Sequence, residues 1–207
     1  MSKKLILKQR QVGPWSMNTY ALICPTTGES VLFDPGADPE ALTEMLAGSK
    51  PKAILLTHTH PDHVGALDEM RARLQTPVMA HPGEHALDPQ AGVWLDDGDT
   101  VAVGSHTLRV YYTPGHIDDQ ICFVIENDQR IIVGDTIFAG GPGKTWSAEG
   151  FQTTLKTLQE VVLAWPDESV CYPGHGPHFV LGEKRAAIEA FARKAHPAGF
   201  FGDAVWE

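Results

Sequence analysis

The stretch THTHPDHVG, Thr57 to Gly65, places His58, His60, Asp62 and His63 within six positions. Imidazole nitrogens and carboxylates suit borderline cations such as zinc, iron and manganese. Two histidines at i and i+2 of an extended loop can both turn toward one ion. Asp62 and His63 lie where the loop is expected to become a helix, so they point to a second position beside the first. One ion takes about three or four protein ligands, and four donors this close together strain a single site.

Other strand ends supply partners. TPGH carries His116, VGDTIF carries Asp135 and YPGHGP carries His175. His116 and His175 each follow Pro-Gly, which bends the chain sharply and lets the imidazole stand at the edge of a sheet. Five histidines and two aspartates suffice for two cations. The remaining histidines, His81, His85, His106, His178 and His196, read as surface or supporting residues. His178 is the nearest exception because it follows His175 so closely.

These donors need elements to position them. KLILKQ, TYALICP and ESVLFDPG read as strands bounded by turn residues. DPEALTEMLAG reads as a helix with Asp38 as N-cap, Pro39 at its first position and Gly48 as its stop. KAILL is a buried strand running into the histidine loop, followed by a helix over about 64–75 and the strand PVMA. Strand-turn-strand patterns follow in DTVAVGSHTLRVYYTPGH and DQICFVIENDQRIIVGDTIF. A Gly-rich loop leads to a helix over about 151–165, then the strand SVCYPGHGP and a last helix over about 183–196. SVLFDPG and RIIVGDTIF echo one another, as do ILLTHTHPDH and VCYPGHG. Two related halves, each a sheet backed by helices, predict an α/β four-layer αββα sandwich with the loops meeting along one edge. The aromatic tail PAGFFGDAVWE is expected to pack on the body or on a second copy of the chain, so a homodimer stays open. Trp15, Trp94, Trp146, Phe200, Phe201 and Trp206 are candidates for a pocket wall, although each suits core or interface as well.

The totals narrow the function. With 207 residues and 43% hydrophobic content, the chain suits a single domain over 1–207 with a substantial core. A formal net charge of -10 repels phosphate backbones and argues against nucleic acid as a partner. Cys24, Cys122 and Cys171 are scattered and suggest buried free thiols. The start is too weakly apolar for a signal peptide, and no window resembles a membrane span. These features point to a cytoplasmic protein without membrane contacts.

The ordered set FDPG, THTHPDH, TPGH, GDTIF and PGHGP resembles the metallo-β-lactamase-fold hydrolases, and within them the glyoxalase II-like (hydroxyacylglutathione hydrolase-like) branch. The likeness spans about residues 15–185. It implies that His58, His60 and His116 hold one divalent cation, that Asp62, His63 and His175 hold another, and that Asp135 bridges them. Asp34 would steady the histidine loop. Zinc is the expected metal, with iron or manganese as alternatives. The resemblance further implies that metal-bound hydroxide cleaves a small thioester or ester, with Asp62 orienting the nucleophile. True β-lactamases of this fold typically lack a bridging aspartate at the position of Asp135, which argues against antibiotic hydrolysis. Lys144 falls where the branch uses a lysine to contact the carboxylate of its thiol cofactor. The sequence also departs from that branch. Pro142 stands near the place of its usual cysteine, GHIDDQI replaces GHTSGHI, and little chain follows PGHGP. Those departures weaken glutathione as the substrate. A mononuclear iron enzyme similar to the persulfide dioxygenases, using His58, His116 and Asp135, is the rival reading. Lactone hydrolysis is a third.

Overall fold

The computed structural model describes residues 3–206. In the first half, strands β1 (Ile6–Val12), β2 (Met17–Ile23), β3 (Glu29–Phe33), β4 (Lys50–Leu55), β5 (Val78–Ala80) and β6 (Val93–Trp94) form one sheet in sequence order. Helices α1 (Pro39–Met45), α2 (Pro61–Val64) and α3 (Leu67–Leu74) lie between them. The second half builds a sheet in the order β12-β11-β10-β9-β8-β7. Its strands are β7 (Thr100–Val103), β8 (His106–Tyr112), β9 (Ile121–Ile125), β10 (Arg130–Gly134), β11 (Val170–Pro173) and β12 (Phe179–Val180). Helices α4 (Ala148–Glu160) and α5 (Leu181–Arg193) complete it.

The alternation of apolar side chains decides the layering, because successive residues of a strand face opposite sides. Leu22, Val31, Phe33 and Leu55 of the first sheet meet Val101, Val110, Ile121 and Phe123 of the second in one buried cluster. Phe33 and Phe123 pack edge to face across the gap, with centroids 5.3 Å apart, an arrangement worth about 0.5–1.5 kcal/mol beyond its buried area. The opposite faces carry Ala21, Leu32 and Ile54 against Leu42 and Met70 of the helices. On the far side, Ile131, Val133 and Cys171 meet Phe151, Leu158, Ile188 and Phe191. The result is the four-layer α/β sandwich that the patterning predicts.

The echo between the halves has a topological basis. β3 pairs antiparallel with β2 and parallel with β4, with α1 between β3 and β4. β10 pairs antiparallel with β9 and parallel with β11, with α4 between β10 and β11. The ends of β3, β4, β10 and β11 therefore carry Asp34, the histidine loop, Asp135 and His175.

Local details depart from expectation. The helix predicted over 64–75 is divided into α2 and α3 at Gly65 and Ala66. A Cβ on Gly65 would collide with the Gly36 carbonyl, and the Ala66 amide donates to Pro35 O at 2.9 Å. The FDPG turn thus docks into the break, which a continuous helix would not admit. Asp38 adopts a left-handed conformation and makes no side-chain cap; its carboxylate accepts from the Gly13 amide at 3.0 Å instead. Helix α4 starts earlier than predicted, with Ser147 accepting from the Gly150 amide at 3.0 Å, and it gives way to a short 3-10 turn over Val162–Ala164. The tail packs on the body: Trp206 is buried in the second-half cluster, and its indole N–H donates to Phe138 O at 3.0 Å.

Candidate metal centre

β4 delivers Thr57 and His58 to the sheet edge, and Asp34 sets their orientation. The buried Asp34 carboxylate accepts from the Thr57 amide and the Thr57 hydroxyl, each at 2.7 Å. With its proton committed to Asp34, Thr57 Oγ1 accepts from His58 Nδ1 at 3.1 Å. That relay leaves the lone pair on His58 Nε2, which is buried without a hydrogen-bond partner. His116 is oriented in the same way: its Nδ1 donates to Lys144 O at 2.7 Å, and its Nε2 lies 2.8 Å from His60 Nδ1. Donor atoms of His58, His60 and His116 all lie within 4.8 Å of one another.

α2 turns Asp62 and His63 to a neighbouring position. Asp62, His63 and His175 form a second group whose donor atoms meet the same 4.8 Å limit. His175 Nε2 is 3.0 Å from Asp62 Oδ2, and His63 Nδ1 is 3.1 Å from Asp34 Oδ2. Asp135 stands between the groups. Its Oδ1 is 3.5 Å from His63 Nε2, and its Oδ2 is 3.6 Å from His116 Nε2 and 3.7 Å from His175 Nε2.

The centre is closely built. A Cβ on Gly174 would fall on Asp135 Oδ1 and 2.6 Å from His63 Cε1, so the glycine of PGHGP is required for clearance as well as for the bend. The loop is clamped from the other half of the chain. Asn18 Nδ2 donates to Pro173 O at 3.0 Å and to Gly176 O at 2.8 Å, and Tyr20 Oη donates to Pro173 O at 2.7 Å. Gln120 accepts from the Asp135 amide at 3.3 Å and donates to Thr57 O at 3.3 Å. Sequence reasoning singled out none of Asn18, Tyr20, Thr57 and Gln120. For Thr57, its place beside His58 was an available signal; the other three carry none.

Electrostatics divides the donors. Burial and the neighbouring His63 and His116 hold His58 well below the usual imidazole range. Burial and His116 push His60 down to about 4, and burial lowers His116 despite Asp135. These three are neutral imidazoles with lone pairs to give. Against the effect of burial, Asp135 and Asp34 raise His63 to about 10, and the Asp62 hydrogen bond raises His175. Burial opposes ionisation of Asp62, but the His175 hydrogen bond and His63 hold it down to about 2. Asp135 is lowered against burial, chiefly by His63. A proton on His63 therefore balances the carboxylates, and a cation at that position would displace it. Loading the metal-free chain near pH 7 is expected to release at least about one proton per chain, with affinity rising as pH approaches 10. Calorimetry in buffers of different ionisation enthalpy measures this, and a buffer-independent heat would contradict it.

The buried, unpartnered Nε2 atoms of His58 and His63 and the Oδ1 of Asp135 fit a cation, because buried polar atoms left unsatisfied are costly. Asp34 can be tested through the same network. Asp34→Ala removes two buried hydrogen bonds at a left-handed residue. It is expected to cost about 2–4 kcal/mol of stability and about 10–100-fold in metal affinity. Denaturant melts and metal titration provide the check.

The other histidines lie outside the cluster. His178 stacks on Tyr172, His81 contacts Leu95 O, His85 contacts Asp118, His106 contacts Lys3 O and His196 contacts Phe191 O. Lys144 Nζ lies 3.5 Å from Asp203 Oδ2 and 4.9 Å from the Trp146 ring centroid. Of the aromatic wall candidates, Trp146 lines a cavity beside His60, while Trp15 and Trp94 are exposed elsewhere.

An αββα sandwich with paired His/Asp clusters at its strand ends defines a class of metal-dependent proteins. The profile of the metallo-beta-lactamase superfamily matches residues 12–175, and the chain belongs to that superfamily. It is 32% identical over 191 residues to the probable metallo-hydrolase YqgX of Bacillus subtilis (strain 168), covering 82% of this chain and 90% of that one. It is 34% identical over 186 residues to a hydroxyacylglutathione hydrolase of Rhodopseudomonas palustris (strain ATCC BAA-98 / CGA009), covering 84% of this chain and 71% of that one. The crystal structure of ETHE1 from Myxococcus xanthus superposes with a TM-score of 0.79 at 28% identity, covering 92% of this chain and 86% of that one. Among the described residues no helix is long and apolar enough to cross a membrane.

Proposed function

We propose that this chain is a dinuclear metal-dependent hydrolase of small thioester or ester substrates. The observation that carries the reading is the pair of complete donor groups, His58, His60 and His116 beside Asp62, His63 and His175, with Asp135 in reach of both. The first group would hold one divalent cation, the second another, and Asp135 would lie between them. The donor set suits zinc, with iron or manganese as alternatives. When bound, two such cations ionise a water at neutral pH and polarise the carbonyl oxygen.

The chain's own residues do the rest. The Asp34–Thr57–His58 relay and the Lys144 carbonyl on His116 hold two imidazoles in the tautomers that face the centre. Asp62, held ionised beside His175, can accept a hydrogen bond from the nucleophile and keep its lone pair aimed at the carbonyl carbon. A thiolate leaving group is a weak base and needs no strong general acid.

The rival is a single-iron oxygenase of the persulfide dioxygenase type, held by His58, His116 and Asp135. The likeness to ETHE1 favours it; the complete second group favours two ions. His60→Ala discriminates, because His60 is a ligand only in the dinuclear reading. Thioester turnover is expected to fall by about 10²-fold or more, with an unchanged far-UV circular dichroism spectrum. One iron per chain, together with oxygen uptake on a persulfide that survives His60→Ala, would overturn the hydrolase reading.

A further inference from the structure

A cavity of about 770 Å³ opens beside His60 and His116. Its wall decides what can approach the centre. Leu87, Tyr112 and Trp146 supply apolar surface. Trp146 is 61% exposed, and its ring centroid lies 6.0 Å from that of His60. The acidic side chains in the wall are Glu84, Asp118 and Glu149. Asp118 is engaged by the His85 amide at 3.0 Å and by His85 Nδ1 at 3.1 Å. Among the described residues, Glu84 and Glu149 join no ion pair, and no lysine or arginine lines the cavity.

Lys144 lines a separate hollow with Asp135 and His175. It faces Asp203 of the tail. The tail is pinned there by the Gly202 amide donating to Thr145 O and the Trp206 amide donating to Gly140 O, both at 3.0 Å. A carboxylate-bearing leaving group would therefore meet like charges in the cavity, and the lysine at its edge, over the Trp146 ring, already faces Asp203. Like charges facing one another across a contact are strongly disfavoured. An ammonium group would meet the carboxylates of Glu84 and Glu149, which attract it.

We propose that this cavity seats the cationic, ammonium-bearing portion of the substrate, so that the chain cleaves thioesters or esters of amino-thiols or amino-alcohols in preference to those of anionic thiols such as glutathione. The inference rests on the hydrolase reading. Water adds its oxygen to the carbonyl carbon, the C–S or C–O bond breaks with its electron pair on the leaving atom, and that atom takes up a proton. The carboxylic acid and the free thiol or alcohol are released.

The test uses the zinc-loaded full chain and three acetyl thioesters that differ in the thiol: thiocholine, 2-mercaptoethanol and 3-mercaptopropionate. Expected is a kcat/KM about tenfold or more higher for the cationic thioester than for the anionic one, with the gap shrinking in high salt. In the Glu84→Gln, Glu149→Gln double variant the same ratio is expected to fall at least about threefold, through KM. Asp203→Asn, which releases Lys144, is expected to raise turnover of the anionic thioester. Turnover of the anionic thioester equal to or above the cationic one overturns this inference and leaves the hydrolase reading standing. Absence of any hydrolysis counts against the hydrolase reading instead. The cavity is then judged by calorimetric binding of the matching non-hydrolysable thioethers: tighter binding of the cationic thioether supports the assignment, and equal or tighter binding of the anionic one overturns it.

Discussion

Alanine in place of Asp135 is expected to lower turnover by about 10³-fold or more, and to reduce bound metal from two ions per chain to one or fewer. Asp135 lies within 3.7 Å of three imidazoles drawn from both donor groups. On the proposed reading, removing its carboxylate would take a donor from each position at once, along with the charge that would hold two cations close together. The fold is expected to survive. The contact that anchors residue 135 to Gln120 runs through the backbone amide, and the surrounding sheet is held by the apolar clusters. Elemental mass spectrometry, circular dichroism and thioester kinetics on the same preparation decide the matter. Activity within about tenfold of the parent, or an unchanged count of two ions, would sink the bridging role.

Stripping the metal with a chelator is expected to abolish hydrolysis and to lower the melting temperature by roughly 8–16 °C. The magnitude follows from binding linkage. A ligand present at about 1,000 times its dissociation constant stabilises by about 4 kcal/mol, and each kcal/mol shifts the midpoint of a chain this size by about 2–4 °C. The physical origin is visible in the centre. Without a cation, the buried Nε2 of His58 lacks a hydrogen-bond partner, and such an atom costs about 1–3 kcal/mol. Adding zinc, iron or manganese back should restore stability first and activity second, because folding needs only an occupied site while turnover needs the right occupant. A melting temperature indifferent to chelation, with hydrolysis intact, would remove the metal from the argument altogether.

How much of this was legible in the sequence depends on the range of each interaction. THTHPDH states its chemistry locally, since its donors are neighbours and the loop between β4 and α2 is short. The strands were legible for the same reason: a short apolar run bounded by turn residues, as in RIIVG or ICFVI, is a local property. Element ends were less so. The break between α2 and α3 exists because the Pro35-Gly36 turn, some 30 residues earlier, lies against Gly65 and Ala66. Gly174 could be read as a bend, but the reason a side chain is excluded there is Asp135, which only the packing of β10 beside β11 brings close.

By itself the sequence determined the donor types, their grouping along the chain, the two-fold echo of the halves and the class of cation they suit. All of these are carried by residue identity and short spacing. The tertiary structure decided the rest: which tautomers the histidines present, how Asn18 reaches across 155 residues to hold Pro173, and how Asp203 of the tail comes to face Lys144. It also decided that Glu84 and Asp118, from separate loops, and Glu149, from the first turn of α4, share one cavity wall beside His60. Those features come from chain segments that meet only when the two sheets bury their inner faces together. No local pattern encodes where such loops converge, because the energy that brings them together belongs to the core and not to the loops themselves.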